Sequence, residues 1–559
     1  MEVGLLLSGE RTRDPRIEQM ASSIFKRVSI GEIRGWVTGE VLDSLPVDFF
    51  GDPISSVREM EGEIVKESTW RWAAILRLPN GMRVFLKRDK AKGWPEYVKY
   101  LLLPSKGQKE FLIASQLERK KLKIPKPLGW MERVRKGLVR ESYYLSKATG
   151  TGVSFIDEVA KAEEPRSIGE LAMTVRAFQD AGLFHQDLHG GNFLWEADSL
   201  FLTDLHRAKI VGTLSLNERL WNLAHLFHSL RKMWGETEQL QFLDRYLDGM
   251  SGEHEKREIL FERIYPSMDR LLRRQWRSRT KRCLQESGEF TVQKERGLRY
   301  FHRRDFSLDR VKKMLDDHRD LVRERPSCLV KNSPEVNVSI LKNEGERISL
   351  KQFCYPHFWG RMKESFRRSK GLKAWVAANG LRARGIPTLK PLALAERKDW
   401  IGLKEGSLFM EAPASDLEMD RYVLKGFEDL KRKRFFVKAF ARWLGGLHRM
   451  SVYHKDMKTC NILVSEKGEA WDFHLLDFED IRLDEKVNRK KLFRNFLQLN
   501  TSTPGVMTKA DRFRFFREYL CLNPIVKDEK AFLGGLMDES RRRGLVYVSA
   551  QGVVTERLT

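Results

Sequence analysis

The sequence predicts an α+β protein built as two tandem bilobal units, each with a small β-rich lobe ahead of a helical lobe. Two observations predict it. The octapeptide His185-Gln186-Asp187-Leu188-His189-Gly190-Gly191-Asn192 is followed by the strand-like Leu200-Phe201-Leu202 and by Asp204. The pattern recurs 269 residues on (187 to 456) as His454-Lys455-Asp456-Met457-Lys458-Thr459-Cys460-Asn461, with Leu475-Leu476-Asp477-Phe478 behind it. Ahead of each copy lie short alternating apolar runs and then a helical period, in the same order. A chain of 559 residues also exceeds what one hydrophobic core serves. The expected divisions are 1–250, a basic helical connecting region at 251–325, and 326–559.

The repeated residue types suit phosphoryl transfer. That chemistry needs an acceptor hydroxyl held in line and Mg²⁺ to spread charge, so the protein supplies carboxylates and an amide at fixed positions. Asp187 stands where a catalytic-loop base accepts the hydroxyl proton. Asn192 and Asp204 fit the two metal-holding positions of kinase-like enzymes.

Taken in order, residues 1 to about 60 show no periodicity. From Trp70 to Arg88 apolar residues alternate on either side of Pro79-Asn80-Gly81, a hairpin signal, with Val84 and Leu86 on one face and Phe85 and Lys87 on the other. Lys87 is the strand lysine suited to a nucleotide's phosphates; an exposed strand lysine is the alternative. Phe111, Ala114 and Leu117 mark a helix opened by Glu110. That glutamate either pairs with the strand lysine or sits exposed in a first turn, where it favours the dipole. Ile124-Pro125 breaks the helix, and Tyr143-Tyr144-Leu145 reads as a strand ending at a hinge. Ser167-Ile168-Gly169-Glu170 reads as a capping box opening an amphipathic helix that stops at Gly182. Residues 217–246 read as helices without an Ala-Pro-Glu signature, which disfavours a protein substrate. In the second unit Val336 to Leu341 alternates, Asn343-Glu344-Gly345 turns, and Ile348 and Leu350 return as a strand bearing Lys351 on its opposite face. Lys370-Gly371-Leu372-Lys373-Ala374-Trp375 then matches Lys106-Gly107-Gln108-Lys109-Glu110-Phe111, with alanine at the glutamate's place. A stripe of Phe436, Phe440, Leu444 and Leu447 precedes His454 and reads as core.

The composition, 41% apolar and 32% charged, is that of a globular chain with no membrane-spanning run. Met1 to Leu7 has an acidic residue at position 2 and too short an apolar stretch for an export leader. Five scattered cysteines without a CxxC pair indicate a reducing compartment, with the cytoplasm as default. A net charge of +25 calls for something acidic: nucleic acid, an anionic membrane face, a phosphorylated or carboxylated substrate, or merely solvent around a basic surface. No motif with nucleic-acid-reading mechanics is present, which disfavours nucleic acid.

The paired loops, with Lys-Gly-x-Lys-x-aromatic and Ile-Pro-x-x-Pro-Leu around them, resemble the lipopolysaccharide core kinases, a family of the protein-kinase-like superfamily that phosphorylates Kdo or heptose. The resemblance covers most of 60–250 and 330–525, including Asp511-Arg512-Phe513-Arg514-Phe515 as a closing helix. It implies tandem protein-kinase-like domains and ATP- and Mg²⁺-dependent transfer to a sugar hydroxyl of the lipopolysaccharide core. It further implies a peripheral position against the anionic cytoplasmic face of the inner membrane. By position it implies that Lys87 and Lys351 hold nucleotide phosphates, that Asp187 and Asp456 are bases, and that Asn192 with Asp204, and Asn461 with Asp477, hold metal. His185 and His454 become loop supports. The sequence departs from the superfamily in lacking a GxGxxG cover; Lys66-Glu67-Ser68-Thr69 and Lys331-Asn332-Ser333 stand there instead. Ala374 leaves the second lysine without its helix partner unless another carboxylate, such as Glu364, substitutes. The competing readings are an aminoglycoside- or choline-type kinase, whose loop is similar, and a nucleotide-binding pseudokinase scaffold, above all for the second unit.

Overall fold

Each half of the chain opens on a seven-stranded antiparallel sheet, because each half supplies period-two apolar runs separated by short turns. The computed structural model describes residues 24–150, 152–161, 166–248, 253–343, 345–412 and 417–558. The stretch Met1 to Leu7 lies outside them. The first sheet comprises β1 (Phe25–Ile30), β2 (Ile33–Thr38), β3 (Glu63–Glu67), β4 (Arg71–Arg77), β5 (Arg83–Lys90), β6 (Pro127–Arg135) and β7 (Leu138–Lys147), in the order β1-β2-β6-β7-β5-β4-β3. Four short strands follow in the helical lobe: β8 (Leu183–His185), β9 (Phe193–Glu196), β10 (Ser199–Leu202) and β11 (Ala208–Ile210). The second sheet comprises β12 (Phe290–Glu295), β13 (Leu298–Arg303), β14 (Lys331–Asn332), β15 (Val336–Asn343), β16 (Glu346–Cys354), β17 (Pro391–Lys398) and β18 (Leu403–Glu411). Its order, β12-β13-β17-β18-β16-β15-β14, is the same permutation.

The duplication therefore begins earlier in each unit than the motifs indicate. Residues 25–38, without usable periodicity in the sequence, form an edge hairpin on β6. The compact units are 1–272 and 273–559, which differs from a connecting region at 251–325. The Glu253–Lys281 helix fills part of that stretch, but β12 and β13 pair with β17 inside the second sheet. The Leu308–Glu324 helix belongs there too: Val311, Met314, Leu315 and His318, at helical spacing, are buried on one stripe. The apolar members of that stripe pack against Leu341, Ile348, Leu350 and Phe409 of the sheet. In the first unit Val41, Phe49, Phe50 and Val57 cover the corresponding face.

The opposite sheet face of the first unit receives the helix Lys106–Arg119. Gly107 lets it come close, since a Cβ there would lie 2.5 Å from the Tyr143 carbonyl oxygen. Ser105, not Glu110, opens this helix by accepting from the Gln108 N–H at 3.4 Å. Glu110 is thus one turn further in and 2% exposed, which removes the exposed first-turn alternative. The helical lobe holds Arg166–Asp180, Leu216–Leu230 and Glu236–Leu247. Ser167 falls within the first of these rather than at its cap. In the second unit the helices Leu430–Arg449, Arg489–Ser502, Lys509–Leu522 and Glu529–Arg543 play that part, and Phe436, Phe440, Leu444 and Leu447 are buried as expected. No described helix is long and apolar enough to cross a membrane.

Candidate active sites

Antiparallel pairing explains how residues distant in sequence meet in the first unit. In the β9–β10 hairpin Phe193 faces Leu202, so Asn192 and Thr203 are neighbours, and the Thr203 N–H donates to the Asn192 carbonyl at 2.8 Å. Pairing of β8 with β11 sets His185 opposite Ala208, just past Asp204. Asp204 itself is left-handed, with φ of 61°, a conformation that aspartate tolerates better than most residues.

His185 fixes the loop. Its Nδ1 accepts from the Asp187 N–H at 3.2 Å, while Nε2, 3.2 Å from the Asp204 carbonyl, must carry the proton. Burial pushes this histidine down to about 4, so it is neutral at pH 7. The Asp187 carbonyl accepts from Asn192 Nδ2 at 3.2 Å, which leaves the Asn192 amide oxygen as its donor atom for a cation. Two helix residues brace the loop from beneath: Asn222 Nδ2 donates to the His185 carbonyl, and Ser229 Oγ accepts from the Gly190 N–H at 3.0 Å.

Lys87 reaches across from β5. Its Nζ donates to Glu110 Oε2 at 2.9 Å and to Asp204 Oδ1. Burial opposes the Lys87 charge, but Glu110 and Asp204 outweigh it and hold the ammonium above its ordinary value. Burial likewise opposes the Asp204 carboxylate, yet His206 and Lys87 hold it well below the usual range. His206 Nδ1 lies 2.6 Å from Asp204, and its Nε2 accepts from Arg71 Nη2 at 2.9 Å. Arg71 starts β4, next to the turn that stands where a glycine-rich cover would be, so a hydrogen-bonded chain links that turn to Asp204. The turn is closed by serine: Ser68 Oγ donates to the Arg71 carbonyl at 2.8 Å and accepts from its N–H at 3.1 Å. A cavity of about 300 Å³ opens beside these groups, lined by Ala73, Phe85, Lys87, Glu110, Ala148 and Asp204 among others. Apolar walls with a few converging polar groups suit a purine nucleotide.

The donors fit Mg²⁺, which prefers carboxylate and amide oxygens. Glu110, Asp204 and His206 also lie close enough together to be considered as a metal cluster. Both Glu110 oxygens are engaged, Oε2 by Lys87 and Oε1 by the Leu205 N–H at 3.2 Å, and so are both His206 nitrogens, whereas Lys87 and His206 meet Asp204 at the same oxygen, Oδ1; Asp204 and Asn192 are therefore the pair better suited to a cation.

The second unit repeats the frame with two exchanges. His454 accepts from the Asp456 N–H at 3.2 Å and lies 3.0 Å from the Leu476 carbonyl. Asn461 Nδ2 donates to the Asp456 carbonyl at 2.8 Å, and Asp477 is left-handed at φ of 47°. Asn495 and Ser502 brace this loop as Asn222 and Ser229 brace the other. Ser333 closes the turn before β15 as Ser68 does before β4. Lys351 pairs with Asp477 at 2.6 Å and, in the first exchange, with Glu479 at 2.8 Å. Glu479 stands two residues past Asp477, where the first unit has His206 two past Asp204. The charge has moved from the helix, Glu110 to Ala374, onto the turn, His206 to Glu479. Glu364 is not the substitute; its carboxylate lies 3.9 Å from Lys373. In the second exchange the loop aspartate meets a different cation. Asp187 accepts from Arg207 at 2.6 Å, whereas Asp456 pairs with Lys458 of its own loop at 3.0 Å, and Asp480 occupies the arginine's place.

All the expected groups thus gather at two sites, one per unit. Arg71, His206, Arg207, Glu479 and the Asn–Ser braces went unread in the sequence. The braces were detectable, because Asn222 and Asn495, and Ser229 and Ser502, share the spacing of Asp204 and Asp477.

The profile described as "Lipopolysaccharide kinase (Kdo/WaaP) family" matches residues 57–246 and 359–519, together more than half of the chain. The lipopolysaccharide core heptose(I) kinase WaaP of Pseudomonas aeruginosa is 28% identical over 190 residues, covering 31% of this chain and 71% of that protein. Among solved structures, WaaP in complex with acyl carrier protein has 20% identity and a TM-score of 0.31, covering 38% of this chain and 87% of that one. The pseudokinase domain of BIR2, an immune regulator of the RLK/Pelle family, has 12% identity and a TM-score of 0.25, covering 46% and 86%.

Proposed function

The chain belongs to the lipopolysaccharide kinase (Kdo/WaaP) family, and from that premise we propose that it transfers the γ-phosphoryl group of ATP to a heptose or Kdo hydroxyl of the lipopolysaccharide core. The observation that carries this reading is the Lys87–Glu110–Asp204 cluster at the mouth of an apolar cavity. Lys87 holds the phosphates and Glu110 holds Lys87. Asp187 takes the acceptor's proton, and Arg207 keeps its carboxylate oriented. Asp204 and Asn192 would hold Mg²⁺, which would supply neutralisation of the phosphate charge. His185 and Asn222 fix the loop so that base and amide arrive together, which is positioning rather than chemistry.

The second unit keeps Lys351, Asp456, Asn461 and Asp477, and Glu479 restores the counter-charge that Ala374 removes. That restoration favours nucleotide binding there over a vestigial scaffold. The membrane reading is supported by exposed apolar side chains on the short helices ahead of Lys106 and Lys370. Trp94 is 70% and Leu102 86% exposed on Trp94–Leu102; Trp359 is 80% exposed on Phe358–Phe366. Such residues among basic neighbours suit an anionic lipid surface on the cytoplasmic face of the inner membrane, where a lipid-linked acceptor would be met.

The test is transfer of labelled phosphate from ATP with Mg²⁺ to core oligosaccharide. Asp187→Asn should abolish it. Unchanged labelling in that variant shifts the chemistry to Asp456, and no labelling by the wild-type protein overturns the kinase reading.

A further inference from the structure

The second unit carries a concentration of positive charge that neither candidate site uses. A concave pocket of about 290 Å³ opens among the end of the Glu253–Lys281 helix, the Lys370–Ala383 helix and the strand Ile481–Leu483. Arg277, Lys281, Arg368, Lys373, Arg384 and Arg482 line it, against the single carboxylate of Asp484. That carboxylate is spent on two of them, at 2.8 Å from Arg384 Nη2 and 2.9 Å from Arg277 Nε. Among the described residues Arg482 donates only to the backbone carbonyls of Glu479 and Ile481. Lys281 and Arg368 make no ion pair among the described residues.

Arg384 makes the pocket more than a solvated basic surface. It is 7% exposed, its guanidinium lies over the Trp276 ring at 5.1 Å, and its buried Nε–H has no partner among the described residues. A buried, unpartnered donor within a group of like charges is costly, and an anion relieves both costs together. The first unit has lysines, Lys109, Lys120 and Lys209, where this pocket has Lys373, Arg384 and Arg482, and Val211 where it has Asp484. Guanidinium forks in place of ammonium groups favour bidentate contact with phosphate oxygens.

We propose that this pocket binds a small phosphate-bearing anion, of the size of pyrophosphate or a sugar phosphate, at a site separate from both nucleotide clefts. Such an anion would bridge the helix carrying Ala374 and the strand following Glu479, whose carbonyl Arg482 already holds, and so would stiffen the surroundings of Lys351. The inference does not depend on the kinase reading.

The experiment uses the full chain with Lys87→Met and Lys351→Met, so that neither cleft can grip the anion. Inorganic pyrophosphate and a hexose 6-phosphate are titrated separately by calorimetry at low and at moderate salt. A saturable site that weakens with salt is expected. Adding Lys281→Glu and Arg368→Glu, both exposed, should weaken it at least tenfold without moving the melting temperature. Tighter binding of the sugar phosphate identifies a phosphorylated sugar as the source, and tighter binding of pyrophosphate a free inorganic anion. Absence of a saturable site, or affinity unchanged by charge reversal, overturns the proposal. Should the reversed variant fold poorly, crystals of the parent soaked in tungstate decide: an anomalous peak in the pocket upholds the site and a peak only elsewhere overturns it.

Discussion

Replacing Glu110 by alanine tests the logic of the lysine clamp. The Glu110 side chain is 3% exposed and accepts from Lys87 at 2.9 Å, so solvent screens the pair little. Asp204 still holds Lys87 in the variant, so the lysine loses one charge-assisted contact, worth about 1.5–3 kcal/mol, while the Leu205 N–H, which donates to Glu110 Oε1 at 3.2 Å, loses its acceptor in the fold. Since about 1.4 kcal/mol is a factor of ten, kcat/KM for phosphate transfer should fall by roughly 10- to 150-fold. The second unit supplies the rescue: there the carboxylate sits two residues past Asp477, 2.8 Å from its lysine. Adding His206→Glu to Glu110→Ala should therefore recover a substantial part of the loss. Steady-state kinetics on core oligosaccharide, with a fluorescent nucleotide titration in parallel, reads both variants. A Glu110→Ala variant within twofold of wild type, or a double variant no better than the single, refutes a clamp of this kind.

Asn222→Ala removes a buried amide from the His185 carbonyl and should cost about 1–3 kcal/mol in urea denaturation of the first unit; a change under about 0.5 kcal/mol contradicts the brace. Burial sets the folded His185 at about 4, against about 6.5 when unfolded, so the unfolded chain alone takes up that proton as pH falls below about 6.5. Stability is then full above that pH and declines below it, by about 2 kcal/mol at pH 5, and a urea midpoint flat over that interval rules this out. Trp94→Asp with Leu102→Asp should lower co-sedimentation with anionic vesicles several-fold while leaving transfer to a soluble oligosaccharide intact; equal sedimentation would exclude that helix as a contact.

Much of each site was legible from the chain because its chemistry is written in short segments. A base and an amide five residues apart on one loop, a strand lysine after an Asn-Gly turn, and an aspartate after an apolar hairpin are local patterns, and their recurrence made coincidence untenable. The α+β class and the tandem repeat followed from the same periodicities. The hairpins 25–38 and 290–303 were not legible, because β1 and β12 are edge strands with one solvated side and need little apolar alternation, while the interior strands β2 and β13 pair with β6 and β17 far along the chain. The stretch 251–325 looked like a connector because its charge obscured the buried stripe Val311, Met314, Leu315, His318.

What the sequence by itself determined is that a lysine, two aspartates and an asparagine of the types suited to phosphoryl chemistry occur in order, and that there are two sets of them. Only the tertiary structure decided which counter-charge meets which lysine and which cation meets which loop aspartate. Glu479 stands 128 residues from Lys351 and Arg207 stands 20 from Asp187, and no local rule links such positions. A carboxylate can neutralise an ammonium from any element that brings it within about 3 Å, so the requirement is set by distance in space, which chain order does not encode.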